Sequence, residues 1–215
     1  MKRIETDADI LRAVESLVAL DPRLQPVRDR AGDIPLRRTE PGFASLVSIV
    51  ISQQVSRASA DAIEARLHGL IDPLTPASIA AAGEAPLIVA GLSRAKQRTI
   101  VALARAVLEH GLDLETLCAL EAEEAVDRLT AIHGIGPWTA QVYLLVCAGH
   151  PDVFPAGDVA LQAAVADALS LPDRPDAKGL ARLAESWAPL RAVAARLFWA
   201  YYRQMKGQEA APLPR

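Results

Sequence analysis

Asp158 stands alone in its stretch of chain. It is the only charged residue between Asp152 and Asp167, it directly follows "FPAG", and it precedes the apolar run "VALQAAVADAL". An aspartate at that point suits a helix N-cap, where free amides and the positive end of the helix dipole favour the carboxylate against the desolvation that would protonate it. Capping alone would account for the residue. Beside a cleft, the same carboxylate could also stabilise a carbon of oxocarbenium character as its leaving group departs, and orient or activate a water. No histidine stands out as a general acid. A second stretch, "HGIGPWTAQVYLL" at 133–145, has no charged side chain but joins two glycines to a helix-starting proline. Gly134 and Gly136 permit positive φ and close backbone approach, and the first turn of the helix from Pro137 leaves N–H groups unpaired. Such a turn can bind a phosphate through its backbone. It can equally be a plain corner between helices.

The elements that position these two stretches read as helices. "TDADILRAVESLVAL" has Thr6 as N-cap and Asp9 where a capping box places its acid. After a passage from Asp21 to Pro41 read as extended, helices are expected at about Phe43 to Gln53 and Ser56 to Leu70. A short one follows, with Thr75 as cap, Pro76 at the first position and Gly83 as stop, and then Ser93 to His110, closed by Gly111. "AEEAVDRLTAI" ends near Ile132, so His133 to Gly136 is a hairpin between helices. In the last helix Leu190, Val193, Ala194, Leu197, Phe198, Tyr201, Tyr202 and Met205 form one buried stripe. No segment alternates as a strand does, and the class is all-α.

With 215 residues, 51% of them apolar, the chain can bury a sizeable core. No run reaches the roughly 18 to 20 apolar residues of a membrane span, and the N-terminus is amphipathic rather than signal-like. An intracellular, cytoplasmic protein is expected. Cys118 and Cys147 lie in apolar helical patterns, as buried thiols would, and four clustered cysteines for an iron–sulfur cluster are absent. The net charge of −3 argues against a polyanionic partner, but its distribution does not. Residues 41–60 carry no acid and one base, Arg57. Residues 85–108 carry no acid and four bases, Arg94, Lys96, Arg98 and Arg105, and residues 129–151 carry no Asp, Glu, Lys or Arg at all. These stretches are either buried helices or a neutral-to-basic face.

"LTAIHGIGPWTA" resembles the helix–hairpin–helix motif of DNA-binding proteins, and "PDVFPAGDVALQAAV" resembles the Gly/Pro-rich loop with an aspartate of the helix–hairpin–helix DNA glycosylase superfamily. "LVSIVISQQVSRASADAIEARL", "GLSRAKQRTIVALA" and "WAPLRAVAARLFWAYY" resemble helices of its alkylation-repair branch, the DNA-3-methyladenine glycosylase II family. The resemblance runs from about Pro41 to Arg203, in its compact form without an additional N-terminal domain. It implies two lobes with a cleft between them. Residues 1–40 would pack with the C-terminal lobe, 41–150 would form a central lobe with the hairpin motif at about 122–149, and 151–207 would form the catalytic loop and C-terminal lobe. Residues 208–215 are expected to be a flexible tail.

The activity implied is removal of alkylated purines such as 3-methyladenine from damaged double-stranded DNA by a monomer that flips the base out of the stack. Asp158 takes the catalytic role. Gln54 takes the place of the wedge that fills the gap, and Gln53 and Arg57 beside it are expected to contact DNA. Arg94 and Lys96 are expected to contact DNA, as are Gly134, Ile135, Gly136 and Thr139 at the hairpin. Trp138, Tyr143 and Trp187 are candidates to stack on a cationic base, although Val142 and Leu190 stand where the family's pattern has pocket aromatics. Members that also cut the backbone use a lysine after the hairpin, and this chain has Trp138 there, which implies a monofunctional hydrolase. The resemblance also places a monovalent cation, Na+ or K+, on the main-chain oxygens of Thr130, Ile132 and Ile135. A non-catalytic DNA-binding protein with the same motif is the alternative, and Asp158 speaks against it.

Overall fold

The computed structural model describes residues 3–207, and the tail expected to be flexible lies outside them. The described residues contain no strand. Their α-helices are α1 (Asp7–Leu20), α2 (Gln25–Ala31), α3 (Phe43–Ser52), α4 (Arg57–Leu70), α5 (Pro76–Ala82), α6 (Ala85–Val89), α7 (Arg94–His110), α8 (Leu114–Ala119), α9 (Ala122–Thr130), α10 (Pro137–Val146), α11 (Val159–Ala168), α12 (Ala177–Ala184) and α13 (Arg191–Lys206). None of them is long and apolar enough to cross a membrane. They form two compact units. One is continuous in sequence, residues 39–143, and the other joins residues 3–38 to 144–207.

In the discontinuous unit, α1 starts as its sequence dictates. The Thr6 hydroxyl accepts the Asp9 amide, and the Asp9 carboxylate accepts the Thr6 amide. The passage from Asp21 to Pro41, expected to be extended, is helical over residues 22–31, about its first half. Asp21 accepts the Arg23 amide and caps a 3-10 turn at Pro22–Leu24, which runs into α2. Leu24, Val27 and Ala31 are buried at helical spacing, and the chain stays non-helical only from Gly32 onward. The expected single stripe on α13 is also corrected. Every residue from Ala192 to Tyr201 is buried, because α1, α2 and α11 all pack on this helix. That burial includes Arg196, whose guanidinium donates to the carbonyls of Leu36 and Leu145. Burial, with the charges of Arg38 and Arg37, pushes its pKa down to about 9, so the group stays protonated at neutral pH.

In the continuous unit, side-chain caps mark the helix starts. Ser56 accepts the Ser59 amide for α4, Thr75 forms a capping box with Ser78 for α5, and Ser93 accepts the Lys96 amide for α7. Gly111 ends α7 in the left-handed conformation at φ 65°. α3 packs on α4 and α7, and α5 and α6 also pack on α7. This makes α7 the organising helix of the unit. Cys118 here, and Cys147 in the discontinuous unit, are buried and form no disulfide.

Candidate functional site

Asp158 ends the loop between α10 and α11. Its amide donates to Pro155 O at 2.8 Å, which closes a tight turn, and its carboxylate Oδ1 accepts the amides of Ala160 at 2.9 Å and Leu161 at 3.0 Å. The indole Nε1 of Trp199 on α13 lies 3.4 Å from the same oxygen. Asp158 is 7% exposed, while its neighbour Val159 is 61% exposed. A buried, oriented carboxylate thus borders an open surface. The start of the loop is held by a bidentate ion pair of 2.7 and 2.8 Å between Asp152 and Arg191. Burial works to raise the Asp152 pKa, and Arg191 overcomes it, so that the carboxyl sits below the ordinary range. Trp199 was not singled out from the sequence because it lies off the apolar stripe assigned to its helix.

The hairpin is formed as expected but divides the work of its glycines differently. Gly134 has φ 83°, and a Cβ there would sit 1.8 Å from Thr99 Oγ1 on α7. Only glycine fits. Gly136, expected to serve the same end, is not in the positive-φ region, and a Cβ there meets nothing within 4 Å. Its surroundings are open where α10 begins. Ile135 is buried, so it can offer a ligand only its backbone. Thr139, in the first turn of α10, is also buried, and its hydroxyl accepts Gln53 Nε2 at 2.8 Å.

Gln53 and Gln54 lie in the short loop between α3 and α4. Gln54 is exposed and holds φ 55°, a left-handed conformation uncommon for a side-chain-bearing residue. The loop is anchored from below: Lys96 Nζ donates to Ile51 O at 2.7 Å. Lys96 is 9% exposed, and burial lowers its pKa. Two expected DNA contacts are therefore corrected, because the side chains of Lys96 and Thr139 are turned into the protein by these bonds. Arg57 pairs with Asp61 at 2.9 Å. Arg94 remains exposed on the first turn of α7.

Two of the aromatic candidates belong to the core. Tyr143 is fully buried, and its hydroxyl accepts the Gly42 amide at 2.9 Å and reaches Leu114 O at 3.5 Å. Trp187 is fully buried between Phe154 and Phe198, with ring centroids at 5.6 and 5.1 Å, and its Nε1 donates to Asp21. Neither presents a face to a base. Trp138 is half-exposed at the start of α10. Among the described residues, no group of three or more His, Cys, Asp or Glu could hold a metal ion.

The hairpin and the capped aspartate lie within a known family. Residues 47–189 match the HhH-GPD superfamily of base excision DNA repair proteins. The chain belongs to this superfamily. Among its relatives is a Mycobacterium tuberculosis protein named "Probable bifunctional transcriptional activator/DNA repair enzyme AlkA", 33% identical over 91% of this HhH-GPD chain. The chain spans only 40% of that relative's length. Solved structures align more completely. A 3-methyladenine DNA glycosylase of Schizosaccharomyces pombe in complex with abasic DNA has a TM-score of 0.80 at 27% identity, covering 89% of this chain and 95% of the other. A DNA-3-methyladenine glycosidase of Bacillus halodurans has a TM-score of 0.76 at 30% identity, covering 99% and 97%.

Proposed function

We propose that this HhH-GPD chain is a monofunctional DNA glycosylase that hydrolyses the N-glycosidic bond of alkylated purines in damaged double-stranded DNA. Asp158 carries the reading: a cap needs only a neutral acceptor, whereas a charged carboxylate beside an open surface is what stabilising an oxocarbenium-like carbon requires. The backbone amides at the start of α10 take a phosphate, helped by the dipole of that helix, and Arg94 adds a phosphate contact. Gln54, exposed at its loop tip, fills the gap left by the extruded base. Trp138 is the remaining aromatic candidate to stack on that base. As the bond from C1′ to the base nitrogen breaks, its electron pair leaves with the cationic base, and positive charge develops at C1′ and the ring oxygen. The Asp158 carboxylate stabilises that charge and orients the water whose oxygen attacks C1′. The water's proton passes to the carboxylate or to solvent.

The carbonyls of Thr130, Ile132 and Ile135 lie at and just beyond the C-terminus of α9, where the helix dipole is negative. Neutral oxygens of this kind suit Na+ or K+, with Ile132 O already accepting the Ile135 amide at 3.1 Å. An ion there would brace the hairpin and take no part in the chemistry. The protein would act as a monomer inside the cell, where its substrate is. The test is incubation with methylated duplex DNA: free 3-methyladenine or 7-methylguanine should appear in the supernatant, and its absence at enzyme excess would overturn the reading. Borohydride added during the reaction should trap no covalent adduct, because Trp138 stands where an amine nucleophile would be needed.

A further inference from the structure

One face of α7 carries both loops that the proposed function brings to the duplex. Lys96 and Thr99 are three residues apart and so share that face. Lys96 holds the end of α3 through Ile51 O at 2.7 Å, two residues before Gln53 and three before Gln54. Thr99 seats the hairpin, touching Gly134 so closely that no side chain fits between them. The third side is closed by Gln53, whose amide bonds the hydroxyl of Thr139 on the hairpin's second helix at 2.8 Å. α7, the Gln54 loop and the hairpin therefore form a closed triangle of contacts. A buried ammonium is a costly way to fill space, since a methionine of similar length would carry no desolvation penalty. What the ammonium adds is direction, toward a carbonyl at the negative end of a helix.

We infer that Lys96 is a positioning residue for base extrusion, fixing Gln54 in register with the phosphate-binding hairpin. The gap-filling side chain then enters the duplex at a set distance from the gripped backbone. The inference rests on the glycosylase reading. It predicts a defect that depends on how firmly the target base is held, because extrusion costs least where the base has no partner.

Single-turnover release of 7-methylguanine is measured from two duplexes, one with the lesion opposite cytosine and one with it opposite an abasic-site analogue. Lys96→Met should slow release from the paired duplex about 10-fold, leave the unpaired duplex within about 2-fold of wild type, and leave duplex affinity unchanged. A 2-aminopurine beside the lesion should brighten less with the variant. Thr139→Val, which keeps shape and removes the hydroxyl, should give the same pattern and serves if Lys96→Met does not fold. Equal losses on both duplexes, or no loss on either, would overturn the inference. If the wild type releases no base from either duplex, the glycosylase reading itself fails.

Discussion

Trp199 Nε1 lies 3.4 Å from the Asp158 oxygen that already accepts two backbone amides. The indole belongs to α13 and the amides to the first turn of α11, so two helices fix the orientation of one carboxylate. Asp158→Asn keeps a capping acceptor, so the thermal midpoint should change little, while base release should fall by about 10²-fold or more. If Trp199 acts through that carboxylate, Trp199→Phe should lower kcat in the wild-type background and have a much smaller effect in the Asp158→Asn background. Additive losses in this cycle would assign Trp199 a separate role.

Gly134 should tolerate no side chain. Gly134→Ala combines a left-handed φ with a clash against Thr99, and is expected to cost about 2–4 kcal/mol in denaturant unfolding. Adding Thr99→Ala should recover only part of this. The hydroxyl at 1.8 Å is removed, but the Thr99 Cβ remains 2.9 Å from the new methyl.

Gly136 should behave in the opposite way. With nothing within 4 Å of its Cβ position, Gly136→Asp should leave unfolding nearly unchanged and weaken duplex binding strongly, because it faces a phosphate with a negative charge. Wild-type affinity in the variant would reduce the hairpin to a corner. Arg94→Ala should lower the slope of log affinity against log salt by about one unit.

Acid should loosen the discontinuous unit at Asp21. The Arg23 side chain holds this carboxyl below its ordinary value of 3.8, with burial opposing and the Trp187 indole assisting. A folded-state value below the unfolded one gives stability that is present above about pH 4 and is lost as pH falls through the depressed value. The difference in thermal midpoint between wild type and Asp21→Asn should therefore be largest near neutrality and shrink in acid.

Local chemistry was readable from sequence. Thr6 with Asp9, Thr75 with Pro76 and Gly83, and Ser93 with Gly111 mark helix ends within a few residues, and the structure has them in those roles. Asp158 as a cap was legible for the same reason. The short helices α2, α6, α8 and α12 were not placed, since so few turns give little periodicity to read. Side-chain direction was the least legible property. Lys96 reads as one base in an acid-free run, and its burial depends on a carbonyl 45 residues away. Tyr143 and Trp187 look alike as pocket or core residues until Gly42 and Asp21 are found to hold their polar tips. Arg196 lies off the apolar stripe of its helix, and only the carbonyls of residues 36 and 145 explain its place in the core.

The order of the chain also governs the order in which the two units can be finished during synthesis. Residues 39–143 leave the ribosome as one uninterrupted block and can collapse without waiting for anything downstream. α1 and α2, with Ile10, Leu17, Val27 and Ala31 buried in the folded chain, emerge well before α13, which packs on both helices and ends at Lys206. At about 5–20 residues per second the interval is roughly ten to thirty-five seconds, during which those apolar faces lack their native cover. For that time α1 and α2 present apolar surface that is open to non-native contacts until α13 arrives.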